Sequence, residues 1–474
     1  MDLGGPVTSY NPTKSGTFQD AVVDWALYDT LLNFDTTTGK LIPGLAKSWT
    51  TTPASATFTL KSGVTCSDGT ALTPVMVAAS LRYLLNPKTA SSILNDVIGP
   101  GNTVRVISGP DTVTLTLAKP WPDLIAGLAH PFAGIICPSG LKDPASMQTK
   151  SAGTGAFVSS SEVPGSSYTF IRRTDYTWGS RYSSQGSGSL PRKLVLKVVT
   201  DDNTRANLIA TNALQIGAFA SDAWTRFKGG KDDAVTASQQ SDTMLVFNET
   251  RGHPTASKAI RLAISQAIDR QLLNKVQSSA TGQVLGNLSE PDYLCYDASL
   301  SSAIPGSDPG AAGKALKGVK IRIIGTNIIG SSGNSYVASA LQAAGAQTSL
   351  NNMDNEAWAG DLFSGKNDWD VTILVLSNIL SSPVFAGGFF VGPPPPGGEN
   401  LGAVDNPAAI AAFTTATRSA GAAECGALDG FQKALLSDSD VLPLGTVPVH
   451  VVFAGGTSGG VFKGFVIPAT IRVR

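Results

Sequence analysis

Histidine residues are the first side chains of this 474-residue chain to consider for chemistry, and there are three of them. His130, His253 and His450 lie far apart, and none belongs to the His-Glu-x-x-His pattern or to another paired spacing by which a helix presents two ligands to zinc. We therefore interpret each as a structural or surface residue. No phosphate-binding P-loop and no dinucleotide-binding glycine pattern follows a predicted strand. The sequence predicts neither a metal nor a cofactor.

A serine in a glycine-rich segment could act as a nucleophile. Residues 456–460 read Gly-Thr-Ser-Gly-Gly and match the Gly-x-Ser-x-Gly nucleophile elbow of serine hydrolases. That chemistry needs Ser458 between a strand and a helix, with an acid and a histidine later in the chain. Here more glycine and apolar residues follow, and no histidine lies beyond His450. A secreted serine hydrolase is therefore the weaker alternative, and we predict that the chain is not an enzyme.

Four cysteines are widely spaced along the chain: Cys66, Cys137, Cys295 and Cys425. Structural zinc sites usually take cysteines in closely spaced pairs, so disulfides fit this spacing better than zinc. Four cysteines allow three pairings, and four buried thiols are the alternative.

Charge and composition exclude several partners. Lys plus Arg and Asp plus Glu each total 35, so the net charge is zero, and charged residues make up only 15%. A neutral chain lacks the clustered excess of cations that binding to nucleic acid or to an anionic membrane requires. No apolar run is long enough to span a bilayer. The chain starts Met-Asp-Leu without a signal peptide, and its Ser- and Gly-rich composition favours the mature segment of an exported protein.

Alternating and helical hydrophobic patterns predict a mixed α/β chain. Thr73-Pro74 supplies an N-cap and a first helical proline for a helix that runs through Leu84. Residues 257–276 read as one amphipathic helix. From residue 319 strands and helices alternate, and the continuous apolar segment 370–376 is typical of a strand covered on both faces. Residues 466–474 are predicted to form the last strand.

Aromatic residues among glycines follow that apolar strand. Phe385, Phe389 and Phe390 come shortly after residue 376, where the carboxyl ends of parallel strands bind ligands in open α/β sheets. Large, stiff rings offer contact faces to peptides and sugars. Trp25, Tyr28 and Trp358 also lie near predicted loops, although a core position is the alternative for each ring.

Five motifs, taken in order, resemble those of the family 5 extracytoplasmic solute-binding proteins of peptide and nickel ABC importers. The matching residues are 28–49 around Leu-Ile-Pro-Gly-Leu-Ala-Lys-Ser-Trp, 58–73 around Asp-Gly-Thr, 153–157 (Gly-Thr-Gly-Ala-Phe), 247–270 ending in Ala-Ile-Asp-Arg, and 441–444 (Val-Leu-Pro-Leu). The resemblance extends over nearly the whole chain.

The resemblance implies a two-lobed, type II periplasmic-binding-protein-like α/β fold that closes by a hinge. Lobe I would comprise residues 1–45, 152–249 and 444–474, with an inserted subdomain at 46–151, and lobe II would comprise 250–443. The disulfides Cys66–Cys137 and Cys295–Cys425 would then each fall within one lobe. It further implies a monomer outside the cytoplasmic membrane, lipid-anchored in a Gram-positive, actinobacterial cell, that delivers a small or peptide-like ligand to ABC permease subunits.

One departure from the family pattern bears on the ligand. Peptide binders of the family commonly carry Ala-Asp-Tyr after the lobe II strand, and the aspartate pairs with the ammonium group of the peptide. Here Ile379, or Asn378 in a shifted register, takes that position, and an unpaired buried ammonium would be costly. A blocked or cyclic peptide, an oligosaccharide or another small metabolite is the alternative ligand. A sensor or chaperone without a transporter is a third reading.

The resemblance and the aromatic pattern together predict the ligand-binding residues Trp25, Tyr28, Asn248, Trp358, Asn378, Ile379, Phe385, Phe389 and Phe390.

Overall fold

The computed structural model describes residues 1–230, 233–279, 281–291, 293, 295–327 and 331–474. The chain forms two compact units. Unit 1 comprises Met1–Ser238 and Val449–Arg474, and unit 2 comprises Gln239–Pro448. The chain passes between the units within the strands Ala234–Phe247 and Val441–Phe453. The predicted division into lobe I, the inserted subdomain 46–151 and lobe II stays a prediction.

The strands of the described residues, in chain order, are β1 Asp2–Leu3, β2 Leu32–Phe34, β3 Leu41–Pro43, β4 Ala46–Thr52, β5 Ser55–Leu60, β6 Val104–Ser108, β7 Thr112–Leu117, β8 Phe157–Val163, β9 Ser167–Arg172, β10 Lys193–Val198, β11 Ile216–Phe219, β12 Ala234–Phe247, β13 Lys320–Thr326, β14 Gln347–Met353, β15 Val371–Leu376, β16 Val441–Phe453, β17 Val461–Phe462 and β18 Phe465–Val466.

The α-helices of the same residues are α1 Phe18–Leu27, α2 Pro74–Leu84, α3 Leu94–Ile98, α4 Leu124–Gly127, α5 Pro138–Lys142, α6 Asp202–Ala210, α7 Lys258–Ala267, α8 Arg270–Ser278, α9 Pro309–Leu316, α10 Ser332–Ala343, α11 Asn355–Phe363, α12 Pro383–Gly387, α13 Pro407–Ala416 and α14 Ala422–Ser437. None of these helices combines the length and apolarity that a bilayer crossing requires.

Unit 1 contains two four-stranded sheets, with the strand orders β1-β10-β9-β8 and β4-β5-β7-β6. In β5, buried residues alternate with half-buried ones, which is the pattern expected where one face of an antiparallel sheet packs on a core. The second sheet lies entirely within residues 46–117. The end of β16 pairs antiparallel with β11 in the same unit.

Unit 2 is built on a mixed sheet. β12 runs antiparallel to β15, from the pair Asp242–Leu376 to the pair Phe247–Val371. β13 runs parallel to both β15 and β14. Five of the six residues of β15 are buried, so the continuous apolar pattern marks a strand covered on both faces, as predicted.

Helix caps account for several boundaries. Thr73 accepts a hydrogen bond from the Met76 amide, and Pro74 occupies the first helical position of α2, as the sequence predicted. Thr17 and Asp20 form a capping box at the start of α1. This capping signal sets the start of α1 at Phe18, and the helix ends at Leu27.

The predicted single helix over 257–276 is wrong in one respect, since the structure divides it into α7 and α8. Ile268 is extended, and Asp269 becomes the N-cap of α8, accepting hydrogen bonds from the amides of Gln271 and Leu272. An aspartate can leave the helical conformation at low cost because its own side chain satisfies the exposed amides.

The C-terminal segment also differs from prediction. Only Phe465–Val466 forms a strand, and Pro468–Thr470 forms a short 3-10 helix because proline cannot supply a ladder amide. The structure contains the disulfides Cys66–Cys137 and Cys295–Cys425, one in each unit. This is the pairing favoured above.

Candidate ligand-binding residues

The aromatic residues beyond β15 form a surface cluster in unit 2. The rings of Phe385 and Phe389 meet edge to face at a centroid distance of 5.8 Å, and Phe363 of α11 lies 6.5 Å from Phe389. Phe385 and Phe389 are half-buried and Phe363 is exposed. Phe390 is fully buried, so its ring belongs to the core. Phe385 and Phe389 thus keep faces with which a ligand could make contact.

Asn378 and Ile379 lie at the carboxyl end of β15, and both are buried. The amide nitrogen of Asn378 donates to the Ser382 carbonyl oxygen at 2.7 Å. Ser381 has a φ of +52°, so the loop turns through the left-handed region. The asparagine side chain holds this turn, and neither Asn378 nor Ile379 carries a charge.

Asn248 and Trp358 lie toward the other end of β15. The backbone amide of Asn248 donates to the carbonyl oxygen of Asp370, just before the strand, at 2.9 Å. Its side-chain amide nitrogen donates to the Trp369 carbonyl oxygen at 3.0 Å. The Trp358 indole donates to Thr372 Oγ1 at 2.9 Å. Six strand residues span roughly 20 Å. The structure therefore separates Asn248 from Asn378, and both Asn248 and Trp358 have structural roles.

Trp25 and Tyr28 belong to the core of unit 1. Trp25 packs edge to face on Phe465 at 5.3 Å. Tyr28 Oη donates to the Tyr10 carbonyl oxygen at 2.7 Å and accepts from the Ala152 amide at 3.3 Å. Both side chains are buried. Both rings therefore occupy core positions, which the sequence analysis gave as the alternative to ligand binding.

The Gly-Thr-Gly motif has a packing reason. A Cβ atom on Gly155 would lie 2.4 Å from the Leu27 carbonyl carbon, and one on Gly153 would lie 2.3 Å from the Leu27 carbonyl oxygen. Thr154 Oγ1 between them donates to Asp29 Oδ2 at 3.0 Å. The motif thus brings the backbone against the end of α1, where no side chain fits.

A buried polar cluster at the carboxyl end of β15 was missed from the sequence. Ser241 and Ser377 Oγ atoms lie 3.2 Å apart across the β12–β15 pair. Tyr293 Oη donates to the neighbouring Asp242 Oδ2 at 2.7 Å and lies 3.3 Å from Glu290 Oε1. The only sequence signal was the charged residue Asp242, two positions before the apolar stretch 244–247. This edge places carboxylates, a phenol and hydroxyls beside the loop that carries Asn378.

A second buried charge cluster explains the Arg of the 247–270 motif. Arg261 of α7 contacts Glu249 Oε2 at 2.7 Å and Asp440 Oδ1 at 2.8 Å. Its guanidinium also donates to the carbonyl oxygens of Ser439 and Thr255. Burial and the charge of Asp440 raise the pKa of Glu249 to about 8, and burial raises the pKa of Asp440 as well. This arginine joins three segments of unit 2 and has no free donor fork for a ligand.

The residues considered for catalysis are not arranged for it. Ser458 forms an isolated bridge with Arg472, and its hydroxyl donates to the Ser187 carbonyl oxygen at 3.4 Å, without the helix that a nucleophile elbow needs. His450 stacks on Trp224 at 4.0 Å. Over the described ranges, His, Cys, Asp and Glu side chains form no group of three that could hold a metal ion.

Comparison with known families identifies the chain. Residues 40–392 match the model of the bacterial extracellular solute-binding proteins, family 5 (middle), and the chain belongs to this family. Relatives include the nickel-binding periplasmic protein of Escherichia coli K12, 26% identical over 60% of this chain and 54% of that protein. The glutathione-binding protein GsiB of Shigella flexneri is 25% identical over 58% of this chain and 52% of its own length. The matches thus span about half the length of these curated relatives.

Solved structures agree over the whole chain. A substrate-binding protein from Microbacterium hydrocarbonoxydans, complexed with 4-hydroxybenzoate hydrazide, is 30% identical, with a TM-score of 0.87 over 100% of this chain and 99% of that one. DppA from Helicobacter pylori, in complex with the peptide STSA, is 18% identical, with a TM-score of 0.81 over 100% and 97%. The fold is therefore the two-lobed α/β fold of substrate-binding proteins, which confirms the expected family and fold class.

Proposed function

We propose that this protein is the extracytoplasmic substrate-binding component of an ABC importer, which captures a small solute and delivers it to permease subunits without chemical change. The observation that carries the proposal is the family match over 40–392, together with the full-length similarity to a substrate-binding protein that holds a small aromatic ligand. We further propose that it acts as a monomer and that the native precursor is lipid-anchored outside the cytoplasmic membrane.

The ligand we favour is a small neutral solute with an aromatic or apolar face. In unit 2 the position of the family's aspartate carries Ile379 or Asn378, both without charge, so a ligand at this loop has no carboxylate there for an ammonium. Phe385 and Phe389 present half-buried ring faces a few residues further on. Such rings favour flat apolar or sugar-like groups. An acyl hydrazide or blocked peptide of this kind matches both features.

A free peptide or another amine is the second candidate, and a separate observation favours it. Asp242 lies at the same edge of the sheet as Ser377, and its carboxylate is buried beside Tyr293. A buried carboxylate at this edge could supply the counter-charge that position 379 lacks.

The deciding experiment is a thermal-shift and calorimetry panel on the purified protein. The probes are 4-hydroxybenzoate hydrazide, matched free and N-acetylated dipeptides and tripeptides, maltooligosaccharides and a nickel–histidine complex. A probe at 100 times its Kd adds about 2.7 kcal/mol of stability. We expect neutral aromatic probes to bind and free peptides to fail. Binding of free peptides that Asp242→Asn abolishes would support the second candidate, and absence of any bound solute would refute the transport function.

Two variants test the residues. Phe389→Ala should weaken binding of the best probe by up to about tenfold, since an aromatic contact contributes about 0.5–1.5 kcal/mol. Leu272→Ala is the matched control, because Leu272 is an exposed apolar side chain on α8 of the same unit. Equal binding by both variants would remove Phe389 from the site and leave the family assignment intact.

A further inference from the structure

Unit 1 carries an open cavity of about 600 Å³ whose walls bring three cations together. Lys47, Lys61 and Arg181 line it with Trp178, Ile42 and Pro43, and no acidic side chain is among its lining residues in the described chain. The zero net charge and the 15% of charged residues predicted no clustered excess of cations, and these three cations, which line one cavity, are a local exception to that prediction. We call this feature the cationic cavity.

The loop around Trp178, which forms one wall of the cationic cavity, is fixed by hydrogen bonds. The Trp178 indole donates to Asp29 Oδ2 at 2.9 Å, and Lys61 Nζ donates to the Trp178 carbonyl oxygen at 2.7 Å. Ser180 Oγ donates to the Pro43 carbonyl oxygen at 2.9 Å, which ties the loop to β3. A wall fixed in this way loses little conformational entropy when a ligand binds.

The cations have donors to spare. Lys61 donates one of its three N–H groups, to the Trp178 carbonyl oxygen. Across the described residues, Lys47 and Arg181 make no hydrogen bond or ion pair with another side chain. Burial and the positive charge of Arg181 lower the pKa of Lys61, and Asp29 opposes this shift. Asp29 itself already accepts hydrogen bonds from Tyr176, Trp178 and Thr154. An anion in the cavity would place a counter-charge beside Lys47, Lys61 and Arg181, because no acidic residue of the described chain lines the cavity with them.

We propose that the cationic cavity is an oxyanion site for a phosphate group, either inorganic phosphate or the phosphoryl head group of a lipid. A guanidinium fork and two ammonium groups offer charge and donors that match a tetrahedral dianion. The half-buried Ile42 and the Pro43 ring leave an apolar rim that tolerates an organic substituent. All of its lining residues belong to unit 1, so the site lies on one unit alone.

The test uses the whole chain and two sources of phosphate. Isothermal titration with sodium phosphate, at constant ionic strength set by sodium chloride, measures the free anion. Cosedimentation with vesicles of phosphatidylcholine, with and without half phosphatidylglycerol, measures the head group. The variant is Lys47→Ala/Arg181→Ala, in which both side chains are exposed. Lys88→Ala is the control, since Lys88 is an exposed lysine of unit 1 outside the cavity.

We expect at least tenfold weaker phosphate or vesicle binding in the double variant and less than a twofold change in Lys88→Ala. Raising the salt concentration should weaken binding further, because exposed charges are screened. Binding of sodium phosphate without binding to vesicles would identify a soluble anion as the ligand. Binding to vesicles that requires phosphatidylglycerol would identify a lipid head group. No binding of either probe, or binding that the double variant leaves unchanged, would overturn the proposal. The solute panel, run on the same variant, reports separately on the transport function.

Discussion

Replacing Arg261 with methionine removes a guanidinium that is buried and bonded to two carboxylates. The residue is 4% exposed, and its contacts are Glu249 Oε2 at 2.7 Å and Asp440 Oδ1 at 2.8 Å. Methionine keeps an unbranched apolar stem in the same space. The change therefore removes the charge and the donors while much of the packing stays.

The expected loss is about 3–5 kcal/mol of the free energy of unfolding, because removing one partner of a buried ion pair leaves uncompensated charge. The pH dependence has a defined sign. Burial and Asp440 already raise the pKa of Glu249 to about 8 in the parent, and the arginine opposes this shift. Without it, the folded state of the variant binds still more protons than the unfolded state between about pH 4.5 and 8. Stability of the variant should therefore fall as the pH rises through this range.

Urea unfolding followed by tryptophan fluorescence and circular dichroism at pH 5, 7 and 9 measures both effects. The control Arg251→Met changes an exposed arginine of the same unit and should cost less than about 0.5 kcal/mol. The double variant Arg261→Met/Asp440→Asn should lose less stability than the two single variants lose together, because it no longer contains the unpaired charge of Asp440. A loss below about 1 kcal/mol at pH 9, or a larger loss at pH 5 than at pH 9, would refute the reasoning.

Three further predictions concern unit 1. Burial lowers the pKa of His130 to about 3, so below about pH 6.5 only the unfolded chain takes up this proton, and the stability of the protein falls by about 1.4 kcal/mol per pH unit toward pH 4. The denaturation midpoint of His130→Asn should therefore fall less steeply with pH than that of the parent. An equal slope in both proteins would contradict this prediction. Changing Cys66 and Cys137 to serine opens a loop closed across 71 residues and should cost about 4 kcal/mol by calorimetry, whereas an unchanged melting temperature contradicts this. Thr17→Ala should lower the free energy of unfolding by about 1 kcal/mol and Thr17→Ser by much less. Equal losses for the two variants in urea unfolding would contradict this prediction.

Local signals carried much of the fold. Thr73-Pro74 starts α2 as predicted because the threonine hydroxyl and the proline ring act on the neighbouring residues alone. The alternation at 57–60 and 113–117 gives two strands that pair with one another. The same local logic failed over 257–276, where the apolar stripe continues across Asp269 although the helix does not.

The candidate site was predictable in part. The sequence placed Phe385 and Phe389 after a buried strand, and the structure puts them there with half-buried rings. The sequence analysis also placed Asn248 and Asn378 in one set of ligand-binding residues. Because β12 and β15 run antiparallel, Asn248, just after β12, lies near the start of β15, whereas Asn378 lies beyond the end of β15. Strand direction depends on pairing between segments more than 100 residues apart, and no local pattern contains it.

The amino-acid sequence by itself determined the family, the helix caps and the apolar strand of unit 2, because each rests on residues near one another in the chain or on motif order. Only the tertiary structure decided that Tyr28 and Trp25 lie in the core and that Asp242 reaches Tyr293. It also decided that Lys47, Lys61 and Arg181 share one cavity. The physical reason is the same in each case: burial and charge clustering are properties of residues brought together across long stretches of chain, and their energies exist only once those stretches are packed.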